Sequence, residues 1–564
     1  MPPAESPPNA ATPRWVFAIQ FAVAAVVLGP ALVHLGVALP GQAGLADLPG
    51  TVNFHWLIQT HGVGAATESS MMMHPSTLNR IVLDGIPLDA LASWPFAAAL
   101  GWPTGFTVFV WLCFAALGTA TAWLARMWWG APVAAAAAGV VAQTHPFLIR
   151  ELVYGRPTQV FGAIFLPLAL GLMLRRLENP NHRYSAFLAG MVWGLGTLSY
   201  WFYGAYFGVG VLVLLGIQGR SRLDTAVRAG LESLVGLGLV VAGPLLMVVG
   251  SPDALPGQGL TLDATVTHGD HDLTLRQLIE FRDLGASIAT ERVLAAQLVV
   301  VGLVVLAIRS APRHRWLVPT VWLTAAMAFA AGPAINLPGG VNLPGPFLLF
   351  DATDLTRRNW WPDRALVLAV PAVALMAGGG AQALIERLRP NRPTVMAIGL
   401  CGLLMAEAFL AIPGLPLRTT WGAETPKTLQ LAAGNGPTLV LPLGTNGDQP
   451  DARMMIDQIH HGRALVNGPM PYTSSTAPAE YASNVASTAL AALVACETNP
   501  ASHRGASNSD TWSALAAWGV TEVFLDPVLA SRMNVGGARY QQCIEAVLGP
   551  TTGGDPLLVF QPRP

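Results

Sequence analysis

The fold is decided by the stretch PGQAGLADLPGTVNFHWLIQTHGVG (residues 40–64), which is followed closely by MMMHPSTLNRIVLDGIPLDALASWP (residues 71–95). Both stretches lie between the first and second long apolar runs of the chain. If those runs cross a bilayer, the segment between them lies at a membrane surface. It combines Asp47, Asp84 and Asp89 with several His, Trp and Met residues. This mixture predicts a reaction site at the boundary between water and lipid.

The composition indicates the class of protein. The chain has 564 residues, of which 52% are hydrophobic and only 11% are charged, whereas soluble domains carry roughly 25% charged residues. We therefore expect an integral membrane protein. The formal net charge of -1 argues against a nucleic-acid partner, because a phosphate backbone is bound by clustered positive charge.

The apolar runs predict a mainly α-helical, polytopic fold with about eleven transmembrane helices. The Pro-rich residues 1–14 form a tail with no apolar core and are predicted to be disordered. The first run is longer than the apolar part of a secretory signal, so it is expected to be an uncleaved span. The predicted spans are Trp15–Leu39, Gly105–Arg126, Ala131–Ile149, Val160–Leu174, Ser185–Ser199, Phe202–Ile217, Ala229–Gly250, Val293–Ile308, Leu317–Pro333, Ala365–Leu384 and Thr394–Ile412.

The arginines predict the orientation of these spans. With a cytoplasmic N-terminus, every second turn between spans is short and carries arginines, as the positive-inside rule requires, and most acids fall in the opposite turns. We expect a multi-pass protein of the cell inner (plasma) membrane. The transmembrane domain covers residues 15–412, and its long first loop, residues 40–104, faces away from the cytoplasm.

The C-terminal segment, residues 413–564, has a different composition and is long enough for one small domain. Strand-like runs at Thr438–Leu441, Glu522–Leu525 and Leu557–Phe560 alternate with helix-like stretches, which predicts a small extracytoplasmic α/β domain. Cys496 and Cys543 both fall in this segment, where a disulfide is chemically permitted. Two buried thiols are the alternative.

Several strings resemble a known family. They are HPSTLNRIVLDGIPLDALASWPFAAALGWP (residues 74–103) in the first loop, RELVYGRPTQ (residues 150–159) in a turn, FLPLAL (residues 165–170) in a span, and LVLPLGTNGDQPDARMMIDQIHHGRALVNG (residues 439–468) near the C-terminus. Together with the order of helices, loop and terminal domain, they resemble the GT-C superfamily of membrane glycosyltransferases, in particular its bacterial YfhO-like and mannosyltransferase-like branch. The resemblance covers most of the chain in architecture.

The resemblance implies a chemical reaction. A GT-C enzyme of this kind would transfer a sugar, with inversion, from a polyprenyl-phosphate carrier to an acceptor glycan, lipid or protein on the extracytoplasmic side. This reaction needs a carboxylate that takes the proton of the acceptor hydroxyl, cationic groups that hold the carrier phosphate, and a groove for the lipid. A hexosyltransferase that is independent of metal or depends on it weakly is expected.

The first-loop acid of the family matches Asp47, which follows the first span, and this match makes Asp47 the expected catalytic base. The alternative is a helix N-cap, because Asp47 stands two residues before Pro49. Asp84 is the expected second catalytic acid, with Asp89 as its alternative. Each of these two could equally cap a short interfacial helix.

Few arginines of the membrane part face outward, and three of them are expected to bind the carrier phosphate. They are Arg156, Arg357 and Arg358, with Arg80 and His55 of the first loop as further substrate-binding candidates. Arginine binds phosphate through two parallel hydrogen bonds, which favours this role. The alternative for each arginine is a side chain that reaches toward lipid headgroups.

A loop with the sequence THGDHD contains residue types that bind metals. Its candidates are His268, Asp270, His271 and Asp272, which could hold a divalent cation such as Mg or Mn. A solvated turn is the alternative, and no cofactor is expected to be required.

Two other classes of function remain open. A secondary transporter or flippase of lipids or glycans would show an internal repeat and charges near the bilayer midplane, and the sequence has no clear repeat. A catalytically inactive scaffold for envelope assembly would keep the architecture without needing Asp47. The sequence has no Walker A, GxSxG or CxxC string, so ATP-driven transport, serine hydrolysis and thiol redox chemistry have no support.

Overall fold

The structure of the chain is a computed structural model. It describes residues 12–41, 47–66, 69–76, 88–250, 297–332, 334–337, 341–352, 362–412, 414–443, 453–467, most of 481–499, 508–532, 538–552 and 554–562. The α-helices are α1 Arg14–Val27, α2 Gly29–Val33, α3 Asp47–His61, α4 Leu88–Leu100, α5 Thr104–Trp129, α6 Pro132–Gln143, α7 Pro146–Val153, α8 Pro157–Glu178, α9 Arg183–Ser199, α10 Trp201–Gln218, α11 Leu223–Gly250, α12 Leu298–Ser310, α13 Arg313–Ala330, α14 Ala369–Leu388, α15 Pro393–Ala411, α16 Pro426–Ala432, α17 Arg453–His461, α18 Thr488–Thr498, α19 Asn508–Ala517, α20 Pro527–Arg532 and α21 Ala538–Leu548.

The strands are short. They are β1 Ala38–Pro40, β2 Ala334–Leu337, β3 Val341–Pro344, β4 Thr419–Trp421, β5 Leu439–Leu441, β6 Val523–Leu525 and β7 Leu558–Phe560. Short segments of 3-10 helix occur at Val63–Ala66, Gly219–Ser221, Pro346–Ala352 and Pro362–Leu368. The predicted mainly helical fold is therefore confirmed.

Within the described residues, seven helical segments are long and apolar enough to cross a membrane. A long apolar helix suits the bilayer because it satisfies every backbone polar group within itself. These segments are Thr104–Trp129, Pro132–Val153, Pro157–Glu178, Trp201–Gln218, Leu223–Leu246, Pro362–Leu388 and Pro393–Ala411. The chain is a membrane protein, and the count of eleven spans stays a prediction.

Two of the predicted spans are interrupted by proline. The run predicted as Trp15–Leu39 divides into α1 and α2 at Leu28, because Pro30 has no N–H to continue the helical ladder. The run predicted as Ala131–Ile149 divides into α6 and α7 at Thr144 and His145, just before Pro146. The second break creates the short helix α7, which carries much of the candidate site.

The chain forms two compact units. The first unit contains residues 12–41, 104–250 and the described residues of 297–419, and includes all seven apolar segments. Small residues allow its helices to pack closely. A Cβ atom on Gly190 of α9 would lie 1.8 Å from the carbonyl oxygen of Ser233 in α11, and one on Gly236 would lie 2.1 Å from that of Phe187. We infer that both positions require glycine.

The second unit joins the first loop, residues 42–103, to the C-terminal segment from residue 420 onward. Its sheet has the order β5–β6–β7, with β5 parallel and β7 antiparallel to β6. Met72 and Met73 of the loop pack in the same core as Leu439 and Leu441 of β5. Asn53 of α3 donates to the carbonyl of Met455 at 2.9 Å. The first loop is therefore part of the C-terminal core.

Cys496 of α18 and Cys543 of α21 form a disulfide, with their Cα atoms 5.7 Å apart. The other two cysteines, Cys113 and Cys401, are buried and are not part of a disulfide. Of the two alternatives predicted for this pair, a disulfide and two buried thiols, the structure contains the disulfide. It ties two helices of the second unit together across a sequence separation of 47 residues.

Replacing Cys543 by Ser is expected to lower the free energy of unfolding by about 2–4 kcal/mol, because the bridge restricts the unfolded chain. Thermal unfolding of the purified full chain measures this loss. Cys113→Ser is the matched control, since it also changes a buried cysteine but breaks no bridge. Equal losses in the two variants would contradict the prediction. In addition, maleimide should react with two thiols in the denatured, unreduced chain and with four after reduction.

Candidate active site

A tight turn between α7 and α8 brings an acid and an arginine together. After α7, Gly155 adopts a φ of +74°, a conformation that glycine accepts without strain. The N–H of Gly155 donates to the carbonyl of Leu152, and the N–H of Arg156 donates to that of Glu151. These two hydrogen bonds define a Schellman helix end. Pro157 then begins α8, because its missing N–H is not needed in a first turn.

The side chain of Glu151 is the centre of a buried ionic cluster, and its exposed fraction is 0%. Its oxygens accept hydrogen bonds from Arg150 Nε at 2.8 Å, Arg364 Nη1 at 2.6 Å and Arg156 Nη1 at 3.2 Å. Asp363 accepts from Arg150 Nη2 at 2.7 Å. These five residues are called the Glu151 cluster below. Its three guanidinium groups and two carboxylates leave a net charge of +1.

Tyr200, at the junction of α9 and α10, contacts the cluster through Arg364. Arg364 Nε donates to the Tyr200 hydroxyl oxygen at 3.0 Å, and the Arg364 side chain is fully buried. Burial raises the pKa of Tyr200 to about 12, although the neighbouring charges of Arg364 and Arg156 oppose this shift. The phenol therefore stays protonated at neutral pH and can donate a hydrogen bond to an anion.

The cluster is partly open at one edge. The side chain of Arg156 is 17% exposed and that of Arg150 is 9% exposed, whereas those of Glu151 and Arg364 are closed to solvent. Charge-assisted hydrogen bonds from guanidinium groups are the usual means of holding a phosphate. The guanidinium group of Arg156, which is reachable by solvent, can bind an anion of this kind.

Arg156 is the predicted site residue that the structure places in the cluster. Asp47 is the first residue of α3, and its side chain lies outside the described residues. Four other predicted site residues also lie outside the described part of the chain: Asp84, Arg80, Arg357 and Arg358. The same holds for the metal candidates His268, Asp270, His271 and Asp272.

His55 lies in the second unit and is fully buried. Its Nε2 is 2.9 Å from Asp89 Oδ2, and its Nδ1 is 2.8 Å from Ser93 Oγ. Gln59 Nε2 also donates to Ser93 Oγ, at 2.9 Å. These hydrogen bonds join α3 to α4. The position of His55 indicates a role in fixing these two helices, and direct contact with a substrate stays a prediction.

Four residues that form the site are not among the candidates predicted from the sequence. They are Arg150, Glu151, Asp363 and Arg364, with Tyr200 as their neighbour. A local signal was present, because RELVYGRP places an acid and two arginines between an apolar run and a proline. Ionisable residues at the end of a membrane helix are costly unless paired. Their pairing with residues 213 positions away could not be read from that string.

The described residues contain no group of three or more His, Cys, Asp or Glu side chains arranged to hold a metal ion. The predicted divalent-cation site at residues 268–272 lies outside the described residues and stays a prediction.

No protein-family model matches the chain, and no curated protein matches it in sequence. Among solved structures, ArnT from Cupriavidus metallidurans bound to undecaprenyl phosphate is similar over 98% of both chains, with a TM-score of 0.51 and 13% identity. The archaeal oligosaccharyltransferase AglB from Archaeoglobus fulgidus, in complex with an inhibitory peptide and a dolichol-phosphate, matches 95% of this chain and 71% of its own, with a TM-score of 0.47 and 11% identity. The likeness to ArnT shows the fold, and the predicted GT-C fold is confirmed.

Proposed function

We propose that the chain is a membrane glycosyltransferase that moves a sugar, with inversion, from a polyprenyl-phosphate carrier to an acceptor on the extracytoplasmic side of the inner membrane. The observation that carries this proposal is the Glu151 cluster, a buried cationic site in a protein with the fold of ArnT. The ArnT structure contains undecaprenyl phosphate, the class of ligand that such a site would take. The sugar acceptor would be a glycan, a lipid or a protein.

In this function the cluster holds the carrier phosphate. Arg156 and Arg150, the partly exposed arginines, would bind the phosphate oxygens directly. The protonated hydroxyl of Tyr200 would donate a further hydrogen bond. The guanidinium groups of these arginines would offset negative charge as the phosphate departs from the sugar.

Glu151 is not suited to act as the catalytic base. Three guanidinium groups occupy its oxygens, and taking a proton would leave these cations without their shared partner. Its role is to position the arginines. The proton acceptor must therefore be another carboxylate, and we propose Asp47, with Asp84 as the second acid. Arg80, Arg357, Arg358 and His55 stay proposed substrate-binding residues.

Replacing Arg156 by Gln tests phosphate binding. We expect the affinity for undecaprenyl phosphate to fall roughly tenfold to a hundredfold, because one charge-assisted hydrogen bond is lost. Native mass spectrometry of the full chain in lipid nanodiscs, titrated with this lipid, measures the change. Only a small loss of stability is expected, since Glu151 keeps two other arginine partners.

Arg222→Gln is the matched control. Arg222 is an exposed arginine at the start of another membrane helix, and its side chain donates to the carbonyl of Glu178. Its replacement should leave the affinity unchanged. Wild-type affinity in the Arg156→Gln variant, or an equal loss in both variants, would remove the cluster as the phosphate site.

A further inference from the structure

Three polar side chains around the Glu151 cluster have a buried atom without a hydrogen-bond partner in the described part of the chain. The atoms are the Tyr203 hydroxyl, Asp363 Oδ1 and Gln159 Oε1. Tyr203 is 0% exposed, Gln159 is 2% exposed and Asp363 is 7% exposed. A buried polar atom costs free energy unless something bonds to it. Three such atoms near one site indicate a ligand that supplies the missing bonds.

The three side chains belong to one region of the first unit. The ring of Tyr203 lies 4.8 Å from that of Tyr200, whose hydroxyl accepts a hydrogen bond from Arg364. A Cβ atom on Gly162 of α8 would lie 3.2 Å from Tyr203 Cδ2. Gln159 precedes Gly162 by three residues and so shares its helix face.

The second carboxylate oxygen of Asp363, Oδ2, is paired with arginines of the cluster. Asp363 Oδ2 accepts from Arg150 and lies 3.7 Å from Arg364 Nη1. This pairing fixes the carboxylate, so Oδ1 is a positioned acceptor at the edge of the cationic cluster.

The chemistry of these atoms selects the kind of group that binds them. A carboxylate oxygen and an amide oxygen accept hydrogen bonds and cannot donate them, whereas a phenol can do both. An ionised phosphodiester offers no donor and would be repelled by the carboxylate. A sugar offers several hydroxyl donors. The acceptors therefore suit the sugar, while the arginines of the same cluster suit its phosphate.

We propose that Tyr203, Asp363 and Gln159 form a subsite that binds the hydroxyl groups of the carrier-linked sugar, next to the phosphate held by the arginines. This proposal rests on the proposed function. It adds that the first unit recognises the sugar as well as the phosphate, and that a carboxylate and an amide oxygen orient the sugar for attack.

The test uses two variants that keep the ionic cluster intact, Tyr203→Phe and Gln159→Met. The probes are undecaprenyl phosphate and the same lipid carrying one glucose, mannose or galactose, titrated against the full chain in nanodiscs. Wild type should bind at least one glycosylated lipid more tightly than the bare lipid. Each variant should lose roughly fivefold to tenfold in affinity for that glycosylated lipid. Affinity for the bare lipid and thermal stability should not fall, because the Tyr203 hydroxyl and Gln159 Oε1 have no hydrogen-bond partner among the described residues.

The other outcomes separate the two proposals. If wild type binds neither probe, the proposed function fails, and the subsite fails with it. If wild type binds the bare lipid but no glycosylated lipid more tightly, the subsite alone is overturned. Wild-type affinity for the glycosylated lipid in both variants, or equal losses on both probes, would also overturn the subsite and leave the phosphate site standing.

Discussion

Asp47→Asn should lower the rate of sugar transfer by about 10²–10⁴-fold, because an amide cannot take the proton of the acceptor hydroxyl. Binding of the carrier should change little, since the arginines of the Glu151 cluster are untouched. The measurement uses membranes that contain the full chain and the native acceptors. Radiolabelled sugar on undecaprenyl phosphate is followed as it moves into glycan, lipid or protein.

A helix end offers a matched control for this variant. Asp47 is the first residue of α3, where a negative charge also stabilises the helix. Asp510 is an exposed acid in the first turn of α19, in the same compact unit. Asp510→Asn removes the same kind of helix-end charge and should leave transfer unchanged. If Asp47→Asn keeps full activity at normal expression, or if both variants lose activity equally, Asp47 is not the base.

The membrane helices could be predicted from the sequence because their signal is local. Long apolar runs without charge predict helices, and the helices lie where the runs do. The strands of the second unit begin within one residue of their predicted positions, at Leu439, Val523 and Leu558. The interruptions at Leu28 and Thr144 were missed, although Pro30 and Pro146 were visible. Mean hydropathy is taken over many residues, so it does not change noticeably when one proline removes a single backbone N–H.

The organisation of the second unit depends on contacts between distant parts of the chain. Nothing local in the first loop shows that Met72 packs against strand β5, or that Asn53 bonds to Met455, 402 residues away. The sequence therefore predicts the loop and the C-terminal segment as separate parts of the chain. Pairing over such distances is set by the shape of the complete core.

The candidate site shows the same limit. Arg156 was selected as one of a few outward-facing arginines, and it does belong to the cationic cluster. In the sequence, its partner Glu151 is one of many acids in the turns opposite those that carry the arginines. What makes Glu151 distinctive is its burial between Arg156 and Arg364, and burial is a property of the folded chain. The residue types of the site can be identified from the sequence, but the contacts between them in the folded chain cannot.

Glu151→Gln is expected to destabilise the first unit by about 3–5 kcal/mol, because removing one partner from a buried ion pair leaves charge without compensation. Of the two carboxylates in the cluster, only that of Asp363 would remain beside the three guanidinium groups. The amide of Gln can accept hydrogen bonds but carries no negative charge. Thermal unfolding of the purified chain measures the loss.

Glu232→Gln is the matched control for this loss. Glu232 also accepts two hydrogen bonds from one arginine, Arg176, each at 3.0 Å, but its side chain is 31% exposed, whereas that of Glu151 is 0% exposed. Solvent screens such a pair, so its removal should cost only about 0–1 kcal/mol. The double variant Arg156→Gln, Glu151→Gln has the same net cluster charge as wild type. It should therefore be more stable than the single variant Glu151→Gln. Similar losses for Glu151→Gln and Glu232→Gln, or no recovery in the double variant, would mean that the buried carboxylate does not hold the arginines in place.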